Sequence, residues 1–275
     1  MTDERDLQAV REEIDGIDRE IQALINRRAR CAQQVAEIKL AEQLAARERG
    51  EEAGEVVFYR PEREAQVLAR IVERNAGPLP AENVAYIFRE LMSACLALEQ
   101  PLQVAYLGPE GTFTQAAALK HFGHGAVCVS QATIDGVFNQ VEASACDYGV
   151  VPVENSTEGM VSHTLDSFLD SPLCIAGEVE LRITHHLLAA PGTDPAAITR
   201  ICAHQQALAQ CRNWLDTHWP HVEREAVSSN GEAARLAAAE PGVAAVAGDM
   251  AAEQYHLERL AEHIEDRRDN TTRFL

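Results

Sequence analysis

Between Leu7 and Lys39, apolar or near-apolar residues recur at Leu7, Val10, Ile14, Ile17, Ile21, Leu24, Cys31, Val35 and Ile38. The steps of three and four residues describe the seam of one long amphipathic helix. No Pro interrupts it, and its only Gly is Gly16. One seam position is anomalous: Arg28 stands where the repeat calls for an apolar side chain, and Arg11 and Lys39 flank the same stripe. At about 1.5 Å per residue such a helix is roughly 50 Å long. A single small domain cannot cover a seam of that length, so a second copy of the chain is expected to do so. A cation on a covered seam needs an anion, and nothing nearby in sequence supplies one.

The chain of 275 residues is 46% hydrophobic and 24% charged, which suits two domains with real cores. Its net charge of -19 argues against nucleic acid and against an anionic membrane surface as partners. An acidic ligand must therefore be held by local cations and backbone N–H groups. The seven Cys (31, 95, 128, 146, 174, 202 and 211) are odd in number and form no CxxC, so free thiols in a reducing compartment are expected. The ten His include no HExxH, no Cys/His group has zinc spacing, and His185-His186 reads as a strand pair, so no metal is expected. The start MTDERDL lacks the apolar core of a signal peptide, and no apolar run approaches membrane-spanning length. A soluble cytoplasmic protein is the expectation.

After Lys39 the charged stretch AEQLAARERGEEAGE, with Gly50 and Gly54, reads as a helix end followed by a mobile loop. Pro61 suits the first turn of a second helix, which should bury Val67, Leu68, Ile71 and Val72 and stop at Asn75-Ala76-Gly77-Pro78. Arg63 and Glu64, four residues before Val67 and Leu68, fall on or beside that face. A third helix after Pro80 should turn Val84, Ile87, Phe88, Leu91, Met92, Cys95 and Leu96 inward, with Glu99 on the same face. Three helices thus carry ionisable groups towards one core: Arg11, Arg28 and Lys39; Arg63 and Glu64; Glu99. Taken singly, each could snorkel to solvent. Taken together, a cation-rich cluster on apolar faces describes a pocket for a small anion.

The run VREEIDGIDREIQALINRRARCAQQVAEIK, then FYRPERE, then the third helix resembles the all-helical chorismate mutase family over about residues 3 to 100. The resemblance implies a homodimer interlocked through the long first helix, with sites that mix residues of both chains. It implies that Arg28, Arg63, Glu64 and Cys95, with Arg11 from the partner, bind chorismate, and that Lys39 and Glu99 are catalytic. Cys95 departs from a common Ser, and Glu99 from a common Gln. The Claisen rearrangement of chorismate to prephenate is unimolecular and needs no cofactor. The site must hold a flexible dianion in its reactive shape and stabilise charge growing on the ether oxygen. Lys39 would face that oxygen, and Glu99 can donate to it only when protonated.

Pro101 marks a boundary, giving domains of 1–101 and 102–275. From Val104 short apolar runs (VAYLG, AVCVS, YGVVPV, LCIAGEVEL, HLLAA, ITRICA, VAAVA) alternate with amphipathic helices, an α/β pattern. Four junctions read as strand, polar turn, helix: Gly108 to Thr112, Glu154 to Gly159, Ala203 to Gln206 and Ser228 to Gly231. Helix starts gathered at one cleft would bind an anion. GPEGT is not a P-loop, since no GK[ST] follows. The segments AYLGPEGTFTQAAALKHFG, VPVENSTEG, AHQQALAQC and YHLERLAEHIEDRRDNTTRFL together resemble the prephenate dehydratase family over about residues 104 to 275. A mutase fused ahead of a dehydratase is a known arrangement in phenylalanine biosynthesis, because the first product is the second substrate.

That resemblance implies two α/β lobes similar to type II periplasmic binding proteins. Lobe 1 would span about 102–181 plus 264–275, and lobe 2 about 182–263. The terminal TTRFL would return to lobe 1 and place Thr272 at the cleft. Prephenate loses its ring carboxylate as CO2 and its hydroxyl as water, and Thr272 is the family's candidate donor to that poor leaving group. Glu154, Asn155, Ser156, Thr157, His204, Gln210, Cys211, Arg273 and Phe274 are the implied substrate-binding residues. Arg273 would bind a carboxylate or pair with Asp266, and Cys211 is not needed as a nucleophile. The family usually continues into a phenylalanine-binding ACT domain, whereas this chain stops at Leu275, so a truncated chain is expected. Two rival readings stand beside this one: an arogenate dehydratase with a mutase domain, and a non-catalytic ligand sensor with a helical dimerisation arm.

Overall fold

A computed structural model of the chain describes residues 7–51 and 56–275. The chain divides into two compact units, Met1–Leu102 with Gly123–Ala126, and Gln103–Phe122 with Val127–Leu275.

The first unit is helical. Helix α1 spans Leu7–Glu48, α2 Pro61–Glu73 and α3 Ala81–Ala97. The break expected after Lys39 does not occur. Residues 40–48 are rich in Ala, Leu, Glu, Gln and Arg, all strong helix formers. The helix stops where Gly50 adopts φ +73°, with Gly50 N–H donating to Arg47 O at 3.0 Å and Glu51 N–H to Ala46 O at 3.0 Å. That pair of bonds is a Schellman stop, which needs a residue at ease with positive φ. Gly54, where a mobile loop was expected, lies outside the described residues.

Pro61 opens α2 as its composition predicts. Two apolar expectations fail: Val72 is 44% exposed and Ile87 54% exposed. The buried line through α2 and α3 is narrow and runs through Ile71, Ser93 and Cys95. The turn Gly123–Ala126 belongs to this unit because Gly125 N–H donates to Ser93 Oγ at 3.0 Å and His124 N–H to Glu90 Oε2 at 3.1 Å. Along α1 only Ala36 is buried; Ile14, Ile17, Ile21, Leu24, Val35 and Ile38 form an exposed apolar row.

The second unit begins with β1 Gln103–Leu107, α4 Phe113–Phe122, β2 Val127–Gln131, α5 Ile134–Glu142 and β3 Tyr148–Val150. Strands β2-β1-β3 make a parallel sheet, and α5 packs on it through Ile134, Val137 and Phe138. Next come β4 Pro152–Asn155, β5 Gly159–Met160, α6 Ser162–Asp170 and β6 Val179–Arg182. Here the sequence reading is corrected. Glu154 to Gly159 is no strand-to-helix junction: β4 and β5 form an antiparallel hairpin with Asn155 opposite Gly159. The run LCIAGEVEL contributes a strand only over its end.

The remaining elements are β7 His186–Ala189, β8 Arg200–His204, α7 Gln205–Gln210, α8 Arg212–His218, β9 Glu223–Val227, α9 Asn230–Ala239, β10 Val243–Ala247, α10 Asp249–Gln254, β11 Glu258–Ala261 and β12 Thr271–Phe274. They build a five-stranded sheet, β11-β7-β10-β8-β9. One core cluster contains Leu187, Ile201, Leu215, Val246 and Ile264, and another contains Leu188, Cys202, Ala233, Ala237 and Ala245. The alternation of Leu187 and Leu188 between clusters follows from strand pleating. Ser229 caps α9 by accepting from Glu232 N–H at 3.0 Å, as its junction predicts. Strand β12 leaves this sheet and lies between β4 and β6 in a second sheet, β5-β4-β12-β6. Among the described residues no helix is long and apolar enough to cross a membrane.

At Gly231, in the first turn of α9, an added Cβ would overlap the Glu110 carbonyl oxygen. Gly231→Ala is expected to lower unfolding stability by about 1–3 kcal/mol, since backbone cannot yield as a flexible side chain does. Urea denaturation checks it, and an unchanged midpoint contradicts it.

Candidate functional site

Two constellations emerge, one in each unit. In the helical unit, α1 and the end of α3 gather Arg28, Lys39 and Glu99. The Glu99 carboxyl is raised above its usual range by burial, which outweighs the opposing pull of Lys39 and Arg28. Lys39 Nζ donates to Val57 O at 3.0 Å and sits 5.5 Å from the Phe58 ring centre. The Glu64 carboxyl is likewise raised by burial, while a bond from Tyr59 and the charge of Arg89 lower it. The Arg89 Nε to Glu64 Oε1 distance is 3.7 Å. Neither Arg89 nor Tyr59 was singled out from the sequence, although Arg89 follows Phe88 on a helix already assigned.

Arg11 and Arg63 are exposed. Arg11 is 17 residues from Arg28 along one continuous helix, so about 25 Å separates them. Cys95 is 4% exposed and belongs to the core of the unit.

In the α/β unit a cleft is lined by Phe113, Asn155, Ile183, His185, His204, Gln206, Ala207, Gln210, Asn230, Asn270 and Thr272. Neither Lys, Arg, Asp nor Glu is among them. Strand register sets its centre, because Thr272 on β12 pairs with Asn155 on β4. Asn155 Nδ2 donates to Thr272 Oγ1 at 2.7 Å and to Asn270 Oδ1 at 2.9 Å. The hairpin turn holds Asn155 in that pose: its Oδ1 accepts from Thr157 N–H at 3.0 Å, Thr157 Oγ1–H at 2.6 Å and Glu158 N–H at 3.1 Å. Asn270 Nδ2 donates to Gln210 Oε1 at 3.1 Å, and Gln210 Nε2 to Thr157 Oγ1 at 3.2 Å. Ser156 ties the rim, its Oγ accepting from Thr271 N–H at 2.9 Å. His204 caps α7 and receives an N–H bond onto Nδ1 from Gln206 at 3.4 Å.

Alternation along β12 separates Arg273 from this cleft. Arg273 points away from it and pairs with Glu154 at 2.6 Å and Glu178 at 3.7 Å. Its expected alternative partner, Asp266, instead accepts from Asn213 N–H at 3.0 Å and Trp214 N–H at 3.1 Å, at the start of α8. Phe274 is 2% exposed and packs in the core. Cys211 is fully buried in the Leu215 and Ile201 cluster, and burial pushes its thiol far up, so it is inert at neutral pH. Sequence reasoning missed Asn270 and Phe113. The available signal was the position of Asn270, two residues before Thr272 and just ahead of β12.

A family model described as prephenate dehydratase matches residues 104–275, and one described as chorismate mutase type II matches residues 10–100. A bifunctional chorismate mutase/prephenate dehydratase of Stutzerimonas stutzeri is 59% identical over 275 residues, covering 100% of this chain and 73% of that protein. One of Aquifex aeolicus is 43% identical over 274 residues, covering 98% of this chain and 72% of that one. Among solved structures, a prephenate dehydratase of Arthrobacter aurescens in complex with L-Phe matches with TM-score 0.58 and 37% identity, over 63% of this chain and 59% of that one.

The environments of the thiols make a chemical prediction. Iodoacetamide is expected to label exposed Cys174 quickly in the folded chain and to label Cys211 only after unfolding. Mass spectrometry reads the sites, and labelling of native Cys211 contradicts the assignment.

Proposed function

The chain belongs to the family of bifunctional chorismate mutase/prephenate dehydratases, and from that premise we infer how its two constellations divide the work. The helical unit rearranges chorismate to prephenate. The α/β unit converts prephenate to phenylpyruvate, CO2 and water, on the route to L-phenylalanine.

In the mutase site, Arg28 and Lys39 bind the dianion, with Lys39 at the ether oxygen and protonated Glu99 donating to the same oxygen. Arg63, Glu64 and Cys95 complete or support the pocket. Arg11 is too far from Arg28 on its own helix to share a ligand with it, so a second chain supplies it. The exposed apolar row of α1 favours the same homodimer, because about 25 cal/mol is gained per Å2 of apolar surface covered.

In the dehydratase site, one observation carries the reading: Thr272 Oγ1 accepts from Asn155 Nδ2, so its own hydrogen is left for the cleft. That hydrogen meets the departing hydroxyl of prephenate. The C–O bond electrons leave with the hydroxyl, which gains a proton and departs as water. The carboxylate C–C electrons enter the ring, which becomes aromatic. Threonine is too weak an acid to ionise fully, so it polarises the leaving group and relays a solvent proton. We assign the cleft to two lobes, 102–181 with 264–275, and 182–263, and place Asn155, Thr157, His204 and Gln210 around the substrate. Ser156 braces the rim, and Glu154, Arg273 and Phe274 hold β12 in register. The seven free thiols fit a cytoplasmic compartment.

Thr272→Ala is expected to abolish phenylpyruvate formation while prephenate still accumulates from chorismate, followed by absorbance of the two products. Retained dehydratase turnover removes Thr272 from the mechanism. For the mutase, the raised Glu99 pKa means that the active, protonated form dominates below that pKa and is lost as pH rises through it. Mutase kcat/KM should fall across that range, and Glu99→Gln should flatten the profile. Superimposable profiles for the two proteins would refute the role.

A further inference from the structure

His185 lines the dehydratase cleft yet has no part in the chemistry above. It is 1% exposed, and its backbone is fixed on both sides. Its N–H donates to Glu265 Oε2 at 3.0 Å, and Ile264 N–H donates to its carbonyl at 2.9 Å. Its ring stands edge-on to Phe113 with centres 5.6 Å apart. Nε2 lies 2.9 Å from Gln210 Oε1, whereas Nδ1 is buried with no hydrogen-bond partner.

The surrounding bonds decide which nitrogen carries the hydrogen. Asn155 is oriented by backbone N–H groups of the hairpin, so its Nδ2 faces Asn270 Oδ1. Asn270 therefore turns Nδ2 to Gln210 Oε1. Thr157 gives its hydroxyl hydrogen to Asn155 and accepts from Gln210 Nε2. The Gln210 oxygen is thus an acceptor, and the His185 nitrogen facing it must be N–H. With donors from Asn270 and His185, both lone pairs of the Gln210 oxygen are used. One N–H of the Gln210 amide remains for the cleft.

An amide has two ends of equal size and opposite polarity. Turned the wrong way, Gln210 would present oxygen to an anionic substrate. Leaving Nδ1 of a buried ring unpartnered costs stability, which a purely structural packing residue would not require. Burial holds the ring below its usual pKa, against the nearby Glu265 carboxylate and in step with His186, so it stays neutral.

We propose that His185, as the neutral Nε2–H tautomer, is a positioning residue that fixes the Gln210 amide with its N–H towards the substrate anion. This rests on the dehydratase reading of the cleft. The test uses the full chain, measuring prephenate turnover in wild type, His185→Phe, His185→Gln, Gln210→Leu and the His185→Phe/Gln210→Leu double variant, with mutase turnover and thermal melting as controls. His185→Phe should lower kcat/KM about tenfold, the effect of one ordinary hydrogen bond. His185→Gln, which can again present a donor, should recover part of that loss. The double variant should be no slower than the slower single variant, since both changes remove one function. Multiplying losses, or wild-type kcat/KM in folded His185→Phe, overturn the proposal. Independently of turnover and of variant folding, 15N-histidine NMR of the wild-type chain should show His185 neutral and protonated at Nε2. A cationic or Nδ1–H ring overturns it. Absence of wild-type prephenate turnover with the expected tautomer would count against the dehydratase reading and leave the Gln210 anchor standing.

Discussion

A chain with a net charge of -19 repels the doubly negative molecules on which it acts, and each unit meets that repulsion differently. The helical unit concentrates cations: Arg28 and Lys39, about three turns apart on α1, are both close enough to pull on the Glu99 carboxyl just past the end of α3. The α/β cleft is lined by neutral groups instead. Asn155, Gln210, Asn270 and Thr272 are bound to one another, and no Lys or Arg joins its lining. The difference suits the two reactions. A rearrangement keeps both carboxylates, so clamping them with cations is harmless and useful. A decarboxylation must release one of them as CO2, and a cation bound to that group would stabilise the state that has to be left.

That neutral cleft exists because the end of the chain comes back. Strand β12 enters between β4 and β6, pairing residue by residue with β6 and, with a register shift after Arg273, with β4. Alternation then sends Thr272 to the cleft, while Arg273 goes to the opposite face and neutralises Glu154 and Glu178. The same pleat that turns the Thr272 hydroxyl to the cleft therefore turns a cation away from it. A slip of one residue would exchange the two and reverse the character of the site.

Much of this was legible in the sequence because it rests on periodicity. The seam of α1, the Pro at the start of α2 and the alternation of strands and helices from VAYLG onward follow from local pattern. The end of α1 was misread because charge was taken as a sign of loop, although Ala, Glu and Arg propagate a helix as well as any residues. The turn after Glu154 was misread because its Asn, Ser and Thr serve a hairpin as readily as a helix cap. Partners far apart in sequence were the hardest to read. Asp266 binding the start of α8, Arg273 finding Glu154, and Asn270 meeting Asn155 depend on strand order, which no local window contains.

The central claim is that the cations of α1 are completed by a dianion held between two copies of the chain. A crystal structure with a bicyclic dicarboxylate ether that mimics the rearranging substrate tests it most directly. The expected result is the mimic enclosed by Arg28, Lys39 and Glu99 of one protomer together with the partner's Arg11. A mimic bound elsewhere, with Arg28 and Lys39 turned into solvent, would contradict it.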